Sequence, residues 1–79
     1  MTSTLLATTL VRAGRSRSFQ IVAACSAGWD AAEREGRRVI QQHHYADWHR
    51  VERALTRFAR EIAELREQGW REGDDPLRL

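Results

Sequence analysis

Trp48, Val51, Leu55, Phe58, Ile62 and Leu65 recur at alternating steps of three and four. That spacing holds one apolar seam along one side of an α-helix for about six turns at 3.6 residues per turn. Both helix ends are written into the same stretch. Asp47 offers a carboxylate to the free N–H groups of a first turn, and its charge suits the positive end of the helix dipole. Gly69 suits the left-handed position that closes a helix, and a Schellman cap there brings Trp70 back onto Leu65. The spacing thus predicts a helix over residues 47–68, and residues 1–46 must supply the cover for its seam.

That upstream part reads as strands. Thr4 to Arg12 is rich in β-branched residues and leucine, and Phe19, Ile21, Ala23 and Cys25 alternate against Gln20 and Ser26. Strands are expected at 3–12 and 18–26, with Ala13-Gly14-Arg15-Ser16-Arg17 as the turn between them. Val22-Ala23-Ala24-Cys25 looks like a lipoprotein cleavage box, but the apolar run before it is only Phe19 to Ala24, broken by Gln20, so the strand fits better.

Residues 28–45 admit two readings. Ala31-Ala32-Glu33-Arg34 favours helix by propensity, whereas Gly36 would interrupt such a helix and the apolar residues of 37–45 keep no 3.6 period. A second hairpin fits better, with a strand at 28–34, a tight Glu35-Gly36 turn and a strand at 37–45. The expected fold is therefore α+β: a four-stranded antiparallel β-meander followed by one long C-terminal α-helix packed on one face. Residues 1–70 form its single domain, and residues 71–79, with Gly73-Asp74-Asp75-Pro76, read as a flexible tail.

Size bears on assembly. Seventy-nine residues lie near the lower limit for a core without metal, disulfide or partner chain. A helix about 33 Å long would also overhang a sheet about 15–20 Å wide unless it ran diagonally or along the strands. Both points favour a homodimer or another protein partner. No stretch approaches the roughly 18–20 apolar residues of a membrane span. The single cysteine, Cys25, has no internal disulfide partner, reads as a small buried hydrophobe, and fits a cytoplasmic location.

The net charge of +2 carries little weight, because all thirteen basic residues are arginine, a bias expected of GC-rich coding sequence. Its distribution says more. Residues 1–46 hold six arginines against three acids and residues 47–79 seven against eight, so an anion-binding surface belongs in the first half or at the helix start. Arg50, Arg53, Arg57 and Arg60 repeat the seam's spacing two positions along, which makes a basic stripe away from the core, continued by Glu64 and Glu67 with opposite sign. This order opposes the helix dipole, so the stripe is a candidate for phosphate or an acidic partner; the bland alternative is a solvated face with Arg57–Glu61 and Arg60–Glu64 pairs. Trp29 and Tyr45, with Arg37 or Arg38 and one of His43 and His44, would make a base-stacking platform if they shared the uncovered sheet face, and would be core if they pointed inward.

Catalytic signals are weak. His43, His44, Asp47 and His49 cluster at the strand–helix junction, but adjacent strand histidines point to opposite faces and Asp47 is wanted as a cap, so no metal or other cofactor is expected. Serines 16, 18 and 26 have no evident base, and no small-molecule substrate suggests itself. Phe58 through Gly69-Trp70 resembles the end of the WGR nucleic-acid-binding module, and four strands then a helix is similar to the order in the single-stranded-DNA-binding coactivator fold. The Trp-Gly-Arg signature is absent, and fold order alone carries no activity across. The expectation is a non-enzymatic binding module acting through protein–protein association, self-association included, with nucleic-acid binding as the alternative.

Overall fold

The computed structural model describes residues 3–73. Four strands form the expected meander: β1 (Thr4–Arg12), β2 (Arg15–Ala23), β3 (Trp29–Glu35) and β4 (Arg38–Tyr45), each antiparallel to the next. Helix α1 (Trp48–Glu67) follows, and the chain then returns as a two-residue strand, β5 (Arg71–Glu72), beside β1. The sheet order is β4-β3-β2-β1-β5. Arg71 and Glu72, expected in the tail, are thus sheet residues, while the rest of that expectation, residues 74–79, lies outside the described residues.

The caps explain why α1 stops where it does. The Asp47 carboxylate accepts from the His49 N–H at 3.0 Å. At the other end Gly69 has φ 98°, its N–H donates to the Arg66 carbonyl at 3.1 Å, and the Trp70 N–H donates to Leu65 at 3.0 Å. This is the paired bonding of a Schellman motif, and it aims Trp70 into the core and Arg71 at the edge of β1.

Most of the seam is covered by the chain's own sheet, with Trp48 at its start left 44% exposed. Val51, Ala54, Phe58 and Leu65 are buried against Leu10, Phe19, Ile21 and Ala31, with Leu55 and Ile62 half-buried beside them. The Phe19 and Phe58 rings meet edge to face at 5.3 Å between centroids; burying a phenylalanine is worth about 2–3 kcal/mol. Trp48 packs edge to face on Trp29 at 5.2 Å where β3 begins, and at the helix's other end Trp70 lies under Arg15 where β2 begins. These are opposite ends of the sheet, so α1 runs along the strands. The expected overhang is absent for that reason and supplies no argument for a partner.

Two turns differ from expectation. The β1–β2 loop is only Ala13-Gly14, with φ 50° and 78°, the double positive φ of a type I′ hairpin turn. Strand β2 therefore starts at Arg15, and Ser16 and Arg17 belong to the sheet. The β3–β4 loop is Gly36-Arg37, and the ladder beside it carries a bulge: Arg34 pairs with Val39 and Glu33 with Gln41, leaving Ile40 extra.

Candidate interaction surface

Strand β4 is the outermost strand, so the backbone groups on its outer side are not taken up by the sheet. Edges of this kind pair with further strands unless charge, proline, bulges or a covering element prevent it. Val39 to Tyr45 contains no formally charged side chain with histidine neutral, and Val39 and Ile40 are 45% and 40% exposed. The bulge at Ile40 limits the regular part of the edge to residues 41–45. The opposite edge is less open. There β5 and the Gly73 N–H, which donates to Thr9 at 3.2 Å, cover the end of β1, and a register shift interrupts its start between Thr4 and Leu6.

Beside the β4 edge, between sheet and helix, lies a cleft of about 390 Å³ lined by Arg17, Glu33, Gln41, Glu61 and Glu64, with Ile40 at its rim. Glu33 is buried, and it accepts hydrogen bonds from Arg17 and, at 2.8 Å, from Gln41. Burial acts to raise the Glu33 pKa, but hydrogen bonds from Gln41, Arg17 and Glu61 and the Arg17 charge outweigh it, and the carboxyl sits below its ordinary value. Glu61 moves the other way, raised by burial first and then by the hydrogen bond and negative charge of Glu33. The cleft is thus an acidic corner, with the carboxyls of Glu33, Glu61 and Glu64 against the one guanidinium of Arg17, and favours a cationic group.

The arginine stripe lies on the outer side of α1. Arg53, Arg57 and Arg60, with Glu52 and Thr56, line a shallow groove of about 390 Å³. Neither the Arg57–Glu61 nor the Arg60–Glu64 ion pair forms among the described residues. Arg57 instead donates to the Tyr45 hydroxyl at 3.4 Å, on the flank of the helix nearest β4. Arg50 is exposed one turn earlier, whereas Arg37 sits apart in the β3–β4 loop.

The base-stacking platform is not assembled on the open face. Trp29 and Tyr45 face each other across β3 and β4 and pack against the core, on the side that α1 covers. The uncovered face presents Ala7, Thr9, Ser18, Gln20, Ala32 and Arg34 around a depression of about 350 Å³, the small and polar lining of an antiparallel sheet wetted on one side. His43 stacks on Tyr45 at 5.9 Å, while His44 pairs with Asp30 at 2.7 Å on the other face. Among the described residues no three His, Cys, Asp or Glu side chains converge as a metal-ligand set, and no helix is long and apolar enough to cross a membrane. Cys25, expected to be buried, is exposed in the β2–β3 loop.

Sequence reasoning overlooked Arg17, Glu33, Gln41 and Glu61 as a group. One signal was present: Arg17 shares the parity of Phe19 and Ile21, and a charge at an inward position needs a buried partner. Comparison of the chain with protein-family models, with curated proteins and with solved structures finds no match.

Proposed function

We propose that this protein is a small non-enzymatic binding module of the cytoplasm that associates with other protein chains, its own copies included, by adding a strand at β4. The observation that carries this reading is the open outer side of β4, uncharged from Val39 to Tyr45 and flanked by the exposed Val39 and Ile40. Strand addition draws affinity from main-chain hydrogen bonds and selectivity from alternate side-chain sites, and the acidic cleft beside Gln41 provides one such site for a cationic side chain. A lone, exposed thiol without a disulfide partner supports the proposed compartment. Photo-cross-linking inside cells tests the surface: a cross-linker at Gln42 should yield protein adducts that the same group at Thr56, on the outer helix face, does not. Equal adducts at both positions, or none at Gln42, would overturn the reading.

A second reading is favoured by one observation, the failure of the stripe arginines to pair within the helix. Guanidinium groups at Arg50, Arg53, Arg57 and Arg60 without such partners suit phosphate contacts, and binding of nucleic acid along α1 is the alternative function.

A further inference from the structure

We infer that the chain added at β4 is a second copy of this protein, joined about a two-fold axis through His43, with Arg57 of each copy entering the acidic cleft of the other. This rests on the strand-addition reading and names its partner.

The register follows from the free edge. Its regular part is Gln41 to Tyr45, bounded by the bulge at Ile40 on one side and by the turn into α1 on the other. Two antiparallel copies of that segment match most fully when His43 lies opposite His43. Directly opposed residues in an antiparallel pair lie on the same face of a sheet, so both helices then stand on one side of a continuous sheet. The same register sets Tyr45 of one copy opposite Gln41 of the other.

Charge selects this occupant. Tyr45 holds Arg57 through its hydroxyl at 3.4 Å, and Gln41 lines the cleft that contains Glu61 and Glu64. Across the axis the Arg57 guanidinium is therefore brought to the second copy's acidic corner, and a two-fold interface makes the same contact twice. The proposal also accounts for the net charge order of the helix, in which Arg50, Arg53 and Arg57 outweigh Glu52 in the first half while Glu61, Glu64 and Glu67 outweigh Arg60 and Arg66 in the second, against its own dipole. Side by side and antiparallel, the two helices set the basic half of one against the acidic half of the other. The open part of β1 offers neither the length nor a charged flank of this kind.

Sedimentation equilibrium of the full 79-residue chain under reducing conditions tests the inference. The wild-type chain should sediment at twice its 9.1 kDa mass at concentrations of about 100 µM, and His43→Arg, which opposes two guanidiniums at the axis, should sediment as single chains. Arg57→Glu and Glu64→Arg should each weaken the dimer by about tenfold or more. An equimolar mixture of those two variants should recover a dimer, because a mixed pair restores both Arg–Glu contacts while an effect within one chain would persist. Far-ultraviolet circular dichroism unchanged from wild type verifies that each variant is folded. A single-chain mass for the wild type, a dimer indifferent to His43→Arg, or no recovery on mixing would each overturn the inference. Adducts at Gln42 to other proteins alongside a single-chain mass would refute the second copy alone, whereas loss of the Gln42 adducts refutes strand addition itself.

Discussion

Arg17 on β2 donates to Glu33 on β3 beneath the helix, one of the few charged contacts placed inside this small core. Removing one partner of such a pair leaves the other charge buried, which costs far more than the pair contributes. Arg17→Met should therefore destabilise the fold by about 2–4 kcal/mol, even with Gln41 still bonded to Glu33. The double variant Arg17→Met, Glu33→Leu should recover most of that loss. Urea denaturation of the four chains of this cycle measures both effects; additive losses would mean that the two residues act independently.

The paired glutamates predict an unusual response to pH. A carboxyl raised in the folded state, as Glu61 is, binds protons more tightly there than in the unfolded chain, so stability rises as pH falls through its folded pKa towards the ordinary glutamate value. Glu33 has the opposite sign: its contribution is present above the unfolded value and is lost as pH falls through its lowered folded pKa. The melting temperature should climb modestly below pH 7 and then drop under about pH 4.5, the ordinary glutamate value. Glu61→Gln should remove the climb, raise the melting temperature at pH 7 by a few degrees and keep the acid drop.

Two turn positions should answer to substitution in opposite directions. Gly28 has φ 81°, and a Cβ there would stand 2.4 Å from the Tyr45 carbonyl oxygen. Gly28→Ala should cost more than about 2 kcal/mol, since strain and backbone displacement add. Ala13 already occupies the left-handed region at φ 50°. Ala13→Gly should stabilise by about 0.5 kcal/mol, as relief of that strain exceeds the added freedom of the unfolded chain. Thermal unfolding of both variants checks the signs.

The nucleic-acid alternative has its own signature. If α1 binds polynucleotide, affinity should fall steeply with salt, and replacing both Arg53 and Arg57 by Glu should abolish binding at about 0.1 M salt. Fluorescence anisotropy with a labelled oligonucleotide reads this directly. Binding unaltered by the double substitution would remove the stripe from consideration.

Most of the architecture could be read from local chemistry because its signals were local. Asp47, the seam and Gly69-Trp70 define α1 without reference to the rest of the chain, and the alternation around Phe19 and Ile21 marks β2. What escaped depends on distant residues. Arg15-Ser16-Arg17 looks like a polar loop until Glu35, at 2.9 Å from Arg15, and Glu33 are set alongside it. Trp29 and Tyr45 carry no mark of which face they occupy, and that is decided by where Trp48 lands. The adjacent Val39 and Ile40 break the two-residue alternation, which signals a bulge, but only the ladder with β3 shows which of them is extra. Cys25 was misjudged because apolar character predicts burial within a strand, and its strand ends at Ala23.

The return of β5 to β1 joins segments some sixty residues apart in the chain. During synthesis on the ribosome, β1 emerges early and waits with that side unzipped until nearly all of the described chain has followed. Until then the Leu10–Val11 end of β1 can mispair with a neighbouring nascent chain, and deleting Arg71 and Glu72 would leave that end open in the folded protein as well.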